Sequence, residues 1–251
     1  MARVSEYRRP ATLAEALACI ALPGAVMVGG GTKVNAEMSA EPITVVDLQA
    51  LGIDGIERHI DGLLIGATAT LQRLADADDV PAAIRDAARR EEPSTLRSMA
   101  TVGGCIAAAD PASELLASFL VHDAQVRLVG PDGPHELEMA ALLADRRKLA
   151  GRIIVAVRIE TDGVTSVART GRTRADRPIV AAVARRTADG GRRLALTGVA
   201  LTPVLMAMAG DAADDAYLPD DLDPPDDFLG SSEYRRALAA VLARRALGEV
   251  G

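Results

Sequence analysis

The sequence is poor in cysteine, aromatic residues and basic charge, and each shortage excludes a class of protein. Cys19 and Cys105 are the only cysteines among 251 residues, too few for an iron–sulfur cluster, a Cys-rich zinc site or a disulfide framework. Aromatic residues make up 2% and Trp is absent, so Ala, Val, Leu and Ile must build the core. The 28 basic and 35 acidic residues give a net charge of −7, which argues against a nucleic-acid-binding protein because phosphate backbones need a basic surface.

Long apolar runs and metal-ligand patterns are also missing. No uninterrupted apolar stretch reaches the length of about eighteen residues that a membrane helix needs. The first residues carry charges with no apolar run behind them, so we expect a cytoplasmic chain. The three histidines are scattered without Cys or carboxylate partners at ligand spacing, and surface or helix-end positions are expected for them. The adjacent Glu91 and Glu92 are expected to be solvated.

Local patterns predict a mixed order of helices and strands. Thr12 and Glu15 form a capping box that opens a helix over residues 12–22. Strands are predicted at residues 25–28, 43–47, 62–67, 125–129, 152–159, 174–183 and 193–200, and further helices at 71–75, 81–90, 112–120 and 232–247. Such an order favours an α+β fold over a regular βαβ repeat.

The C-terminal part combines an acidic stretch with a helix. Residues 210–227 are rich in Asp and contain three prolines, which favours a solvated, extended connector. In the helix that follows, Tyr234 and Val241 are predicted on the apolar side, and Arg235 and Arg236 largely on the opposite, solvated side.

Two bends contain consecutive glycines. Gly29, Gly30 and Gly31 follow a predicted strand, and Gly103 and Gly104 follow Thr101 ahead of a predicted helix. Glycine lets backbone amides approach a ligand closely, and successive N–H groups in such a turn can bind an anion. Two bends of this kind could hold a pyrophosphate between them. Neither bend contains the dinucleotide or triphosphate glycine fingerprint, and glycine clusters more often mark plain turns.

Several segments in a fixed order resemble one family. They are YRRPATLAEAL at 7–17, VGGGT at 28–32, ATVGG at 100–104, DPASEL at 110–115, DRPIV at 176–180 and the stretch 226–247. Together they span nearly the whole chain and resemble the FAD-binding medium subunit of molybdenum hydroxylases, of which carbon monoxide dehydrogenase and xanthine dehydrogenase are members.

The resemblance implies a fold and a set of cofactor-binding residues. It implies a two-subdomain FAD-binding module of the vanillyl-alcohol oxidase (PCMH) type over residues 1–160, with subdomains of about 1–52 and 53–160. A smaller C-terminal α/β domain of the carbon monoxide dehydrogenase flavoprotein type would follow over residues 161–251. The cofactor would be FAD, and the residues implied in binding it are Val28, Gly29, Gly30, Gly31, Thr32, Lys33, Val34, Thr101, Gly103, Gly104, Cys105, Asp110, Glu114, Ile154, Asp176 and Arg177.

The same resemblance implies a flavin-dependent oxidoreductase subunit that transfers electrons. A molybdenum-cofactor large subunit and a small subunit with [2Fe–2S] clusters would be its partners, and substrate turnover would require both. No catalytic side chain and no metal ligand are assigned to this chain, because the flavin would carry the chemistry.

Two alternatives remain open. Family members usually have Asn or Asp where this chain has Cys105, and a thiol is a weaker hydrogen-bond partner. This departure, with a segment between Pro203 and Pro224 that is shorter than in relatives, motivates a cofactor-poor scaffold of the same fold. The other alternative is a standalone flavin oxidoreductase, which would act on an organic substrate without a molybdenum partner.

Overall fold

The structure is a computed structural model that describes residues 3–34, 41–60, 62–173, 176–208 and 222–251. These residues form three β-sheets with helices packed around them. The mixture of parallel and antiparallel sheets with separate helices confirms the predicted α+β class. The subdomain and domain boundaries given above stay a prediction.

The first sheet is small and parallel. Its strands are β1 (Val4–Arg8), β2 (Ala25–Val28) and β3 (Ile43–Asp47), in the order β1-β3-β2. Helix α1 (Leu13–Ile20) connects β1 to β2 and begins with the predicted capping box of Thr12 and Glu15. The buried Ala16 side chain packs against Val46 of β3, so the apolar face of α1 covers this sheet.

The second sheet is antiparallel and has five strands in the order β4-β5-β8-β6-β7. Strands β5, β6 and β8 correspond to predicted strands, whereas β4 and β7 were not predicted. Their bounds are β4 Ile56–His59, β5 Gly62–Gly66, β6 Gln125–Gly130, β7 Gly133–Glu138 and β8 Ile153–Ile159.

Six helices accompany this sheet in the described part of the chain. They are α2 (Leu71–Asp76), α3 (Ala82–Glu91), α4 (Ser94–Arg97), α5 (Val102–Ala108), α6 (Glu114–Val121) and α7 (Met139–Ala144). The prediction of a bend at Gly103 and Gly104 was wrong, because both glycines lie in α5. Thr101 caps α5 by accepting a hydrogen bond from the Gly104 amide, and this cap lets a glycine pair lie in a helical turn.

The third sheet is antiparallel and lies between two helices. Its order is β12-β11-β10-β9, with β9 Val164–Thr170, β10 Val180–Arg186, β11 Arg192–Thr197 and β12 Val204–Met206. Val183 of β10 belongs to the core that contains α6, while Ala182 and Ala184 belong to the core that contains α8 (Ser232–Glu249). Strand β10 is therefore buried on both faces, which explains its continuous apolar run.

Helix α8 has the predicted orientation only in part. Arg235 is buried with only 3% of its surface exposed, whereas Tyr234 and Val241 on the predicted apolar side are exposed. The guanidinium of Arg235 donates to the carbonyl oxygens of Ile179 and Gly198 and to the Asp227 carboxylate. These contacts satisfy the positive charge of Arg235. Through them α8 is linked to the ends of β10 and β11 and to the segment before the helix.

Most of the stretch predicted as an acidic connector lies outside the described residues, and residues 222–226 contain neither helix nor strand. Among the helices that the structure describes, none is both long and apolar enough to cross a membrane.

His122 links the second sheet region to the third sheet from a buried position. It follows α6, its Nδ1 lies 2.7 Å from the carbonyl oxygen of Glu160, and its Nε2 lies 3.1 Å from the Thr165 hydroxyl. The expected helix-end position is confirmed, but the residue is 1% exposed and not at the surface. Burial lowers the pKa of His122 from 6.5 to about 4.

This shift predicts a pH-dependent loss of stability. Between pH 6.5 and 4 the unfolded chain binds a proton at His122 that the folded chain does not bind. The free energy of unfolding should therefore fall as the pH falls through this window, by up to roughly 3 kcal/mol. Urea unfolding at pH 7, 5.5 and 4.5 should show a smaller loss for His122→Gln than for the wild type. The exposed His59 provides the control, since His59→Gln should keep the wild-type pH dependence. An equal dependence of the free energy of unfolding on pH in all three proteins would contradict the assignment.

Candidate cofactor-binding site

The first bend is held tightly against the segment before α5. Strand β2 ends at Val28, and a Cβ atom on Gly30 would lie 1.7 Å from the carbonyl oxygen of Met99. A Cβ atom on Gly29 would lie 2.4 Å from the hydroxyl oxygen of Thr101. Any side chain at either glycine would push the two segments apart, so glycine is required here by space.

The amides of this bend have no hydrogen-bond partner in the part of the chain that the structure describes. Within the described residues, the N–H groups of Gly30, Gly31 and Thr32 donate to no protein atom. Gly31 has φ +74°, a left-handed conformation that glycine adopts without steric cost. Consecutive N–H groups in such a turn bind anions. The first bend therefore offers a binding site for an anionic group such as a phosphate.

The second glycine segment, residues 101–104, forms the start of α5, and the amides of its glycines already have partners. The Gly103 amide donates to the carbonyl oxygen of Ala67 (2.8 Å), and the Gly104 amide donates to the Thr101 hydroxyl oxygen (3.2 Å). Gly103 also packs against Ala67, since an added Cβ would lie 2.9 Å from the Ala67 Cβ. What this segment offers a ligand is the hydroxyl hydrogen of Thr101 and close access to the helix backbone.

The first bend and the second glycine segment border one cavity of about 540 Å³. Eleven of the sixteen sequence-predicted residues line it. They are Val28, Gly29, Gly30, Gly31, Thr32, Lys33, Val34, Thr101, Gly104, Cys105 and Asp110. The structure therefore brings the two glycine segments to a common space.

Charged groups lie along one side of this cavity. The Lys33 ammonium lies 3.4 Å from the Glu92 carboxylate, and Glu92 is mostly buried, contrary to the expected solvated position. Asp110 contacts Arg177, whose other nitrogen lies 2.8 Å from the buried Glu91 carboxylate. Burial raises the pKa of Glu91 even though Arg177 lowers it. Arg177 thus bridges Asp110 at the cavity and Glu91 at the end of α3, where the sequence predicted a solvated carboxylate.

Cys105 lines the cavity as a neutral thiol. Burial, followed by the negative charges of Glu91 and Glu92, raises the pKa of Cys105 well above its usual value. Thiolates are the reactive form of cysteine. The arrangement therefore favours an inert, cavity-lining side chain.

A second, smaller cavity of about 90 Å³ adjoins the first. Both are bordered by Met27, Gly29, Thr101, Gly104 and Ala107. The rest of its lining is largely apolar and comes from the ends of β5 and β8 and their surroundings: Leu48, Ala67, Thr68, Gly103, Leu149, Arg152 and Ile154. An apolar slot beside an anion-binding bend suits a ligand that joins a flat ring to a phosphate.

Three sequence-predicted residues line neither cavity. Glu114 is buried between Arg90 at 2.9 Å and Arg169 at 2.6 Å. Asp176 lies 3.5 Å from Arg172, and Arg177 reaches the larger cavity only through Asp110. The ion pairs of Glu114 join α3, α6 and β9, whereas the pair of Asp176 and Arg172 is local to one loop.

Comparison with known proteins identifies the domain that carries this site. Residues 3–160 match the family described as the FAD binding domain in molybdopterin dehydrogenase. The chain belongs to this family. The matched range contains both cavities and the first two sheets, so FAD is the cofactor that the family assignment indicates for them.

Relatives extend the similarity over nearly the whole chain. The chain is 30% identical to the uncharacterized protein YgfM of Escherichia coli K12, covering 87% of this chain and 85% of that protein. It is 28% identical to the carbon monoxide dehydrogenase medium chain of Afipia carboxidovorans, covering 96% and 95%. A chain of the reconstituted CO dehydrogenase from Oligotropha carboxidovorans superposes with a TM-score of 0.86 at 27% identity, covering 100% and 99%.

Sequence reasoning missed several residues of this FAD-binding domain. Thr68 lines the smaller cavity, and Met99 supplies the carbonyl oxygen against which Gly30 packs. A signal for Thr68 was present, because it lies in the run of small residues 66–70 that directly follows a predicted strand. Met99 had no such signal, since only the three-dimensional contact reveals the role of its backbone.

Proposed function

We propose that this chain is the FAD-binding electron-transfer subunit of a molybdenum-hydroxylase-type complex. In this role it takes electrons from a [2Fe–2S] subunit and passes them to an acceptor, while substrate is oxidised at a molybdenum-cofactor subunit. One observation carries the proposal: Gly30, Gly31 and Thr32, whose amides have no partner among the described residues, line a cavity that Thr101 also borders.

The residues present fit the diphosphate of FAD. The amides of the first bend would donate to phosphate oxygens without a change in protonation, and the Thr101 hydroxyl, which packs against Gly29, would add a further donor. Lys33 adds a positive charge at the rim, offset by Glu92. Because Asp110 is neutralised by Arg177, it brings little repulsion to the cavity. Uncharged hydrogen-bond donors would therefore supply most of the stabilisation of the bound diphosphate.

The adjoining apolar slot fits a flat ring of the same cofactor. Ile154 and Leu48 are nearly fully buried and form part of its wall. FAD, when bound, supplies the capacity to hold two electrons and to exchange them one at a time. The chain itself would position the ring and exclude water from it, and no acid–base side chain of its own is required for these tasks.

Partner subunits follow from what the chain contains. Its two cysteines are too few for an iron–sulfur cluster, which is held by four thiolates. The medium chain to which it is similar belongs to a carbon monoxide dehydrogenase. We therefore assign the clusters and the molybdenum cofactor to separate subunits.

Cofactor titration tests the proposal. Protein purified with its neighbouring subunits should be yellow, release FAD on denaturation and bleach under dithionite. After removal of the flavin, added FAD should bind again with a Kd that fluorescence quenching can measure. Cys105→Asn should bind FAD no more than about 10-fold tighter, the gain from one hydrogen bond. A wild type that rejects FAD would contradict the proposal, and recovery of binding only in Cys105→Asn would indicate a scaffold with a degraded site.

A further inference from the structure

Thr68 is a buried polar side chain without a partner. It is 8% exposed, and its hydroxyl oxygen is shielded from water and forms no hydrogen bond with the described part of the chain. Burying a hydroxyl without a partner costs free energy, so native structures seldom contain one without a reason.

Other threonines of the fold do have hydrogen-bond partners. Thr70, two residues later, accepts from the Arg73 amide, and Thr101 accepts from the Gly104 amide. Thr197 in β11 is fully buried and accepts from the Ala181 amide. The orphaned hydroxyl at Thr68 is therefore a property of this position and not of threonine in this fold.

The position of Thr68 links the orphaned hydroxyl to the smaller cavity. Thr68 follows β5 and lines the slot together with apolar side chains that include Met27, Leu48 and Ile154. Because the hydroxyl oxygen is shielded in the flavin-free structure, a rotation about χ1 would bring it to a ligand in the slot. Among the side chains at this slot, Thr68 is the one that combines a polar group with the lack of a partner.

We propose that Thr68 determines ring specificity in the cofactor site, by a hydrogen bond from its hydroxyl to the edge of the heteroaromatic ring that enters the slot. This inference rests on the proposed function. A ring nitrogen or carbonyl oxygen would accept from the hydroxyl, and a ring N–H or amino group would donate to it. The apolar wall stabilises any flat ring by burying its surface, whereas the hydroxyl stabilises only a ring with a polar atom at that edge.

Thr68→Val distinguishes this role from a structural one. In this variant the stability of the flavin-free protein should stay the same or rise, whereas the affinity for FAD should fall. The variant replaces the hydroxyl with a methyl group of similar shape and removes an unpaired buried polar group. The flavin-free protein should therefore keep or raise its unfolding temperature, by up to about 4 °C. FAD affinity should fall by roughly 3- to 12-fold, the loss of one neutral hydrogen bond. A structural role would instead lower the unfolding temperature.

Thr197→Val provides the matched control. It makes the same substitution at a buried threonine whose hydroxyl has a partner and which lies outside both cavities. It should lower the unfolding temperature of the flavin-free protein and leave the Kd for FAD unchanged. Together the two variants exclude a general effect of removing a buried hydroxyl.

Titrations with FAD, FMN and ADP identify the ring. If the flavin ring enters the slot, Thr68→Val weakens FAD and FMN but not ADP. If adenine enters, the variant weakens FAD and ADP but not FMN. Unchanged affinity for FAD, or a lower unfolding temperature of the flavin-free variant, overturns the inference. Failure of the wild type to bind any of the three ligands would instead refute the proposed function.

Discussion

Replacing Gly30 with Ala should weaken FAD binding by about 100-fold or more. The new Cβ would lie 1.7 Å from the carbonyl oxygen of Met99 and 2.4 Å from its carbonyl carbon. Backbone cannot yield as a flexible side chain does, so the first bend must move away from the segment before α5. Losing two charge-assisted hydrogen bonds to the diphosphate would cost about 3 kcal/mol or more. Fluorescence titration of the flavin-free variant with FAD measures the change.

The control for this variant is another Gly→Ala substitution. Gly248 lies in α8, where an added Cβ meets nothing within 4 Å. Gly248→Ala should leave the Kd for FAD unchanged and stabilise the helix by up to about 1 kcal/mol. Thermal unfolding of Gly30→Ala shows whether the folded state persists. A folded Gly30→Ala protein that binds FAD as tightly as the wild type would contradict the role of the first bend.

Replacing Arg185 with Met should destabilise the protein by roughly 3–5 kcal/mol. Arg185 belongs to β10 and is fully buried, and its guanidinium donates to the carbonyl oxygen of Val121 at 3.0 Å. The same group pairs with three carboxylates, those of Asp123, Glu160 and Asp162. Removing the cation leaves these carboxylates close together without their shared partner. Urea unfolding at pH 7 measures the loss.

The surroundings of Arg185 explain why the expected effect is large. Its partners line a polar cavity of about 580 Å³ between the β4–β5 hairpin and the β10–β11 hairpin. Arg127→Met is the control, because Arg127 is 40% exposed and lies 3.7 Å from Glu136 on the surface. An exposed pair of this kind contributes less than about 1 kcal/mol. Equal losses of stability in the two variants would contradict the assigned role of Arg185.

Local chemistry explains which elements the sequence could predict. The capping box of Thr12 and Glu15 and the glycine run after β2 act through neighbours in the chain, and both were predicted. Helix α5 was missed because Gly103 and Gly104 are poor helix formers. Its stability comes from the Thr101 cap and from close packing of Gly103 on Ala67, a residue distant in sequence.

Buried charges were predicted least well. A pattern of charge along a helix favours a solvated face for Arg235, and adjacent carboxylates favour solvent for Glu91. Both are buried because their partners come from elsewhere in the chain: Asp227 and two carbonyl groups for Arg235, and Arg177 for Glu91. Such pairs are fixed by tertiary contacts, which a local pattern does not contain.

The candidate site, like the fold, could be predicted only in part. The resemblance supplied the glycine segments, and eleven of its sixteen residues border the larger cavity. The functions of Glu114, Asp176 and Arg177 in cofactor binding stay a prediction. In this structure they form ion pairs with Arg90, Arg172 and Asp110, respectively.

The crystal structure of the FAD-saturated protein tests the central claim most directly. We predict that diphosphate oxygens lie within hydrogen-bond distance of the Gly30, Gly31 and Thr32 amides, near the Thr101 hydroxyl, with a ring of the cofactor beside Ile154. A diphosphate bound elsewhere, or side chains that fill the space between the first bend and α5 in the complex, would contradict the account.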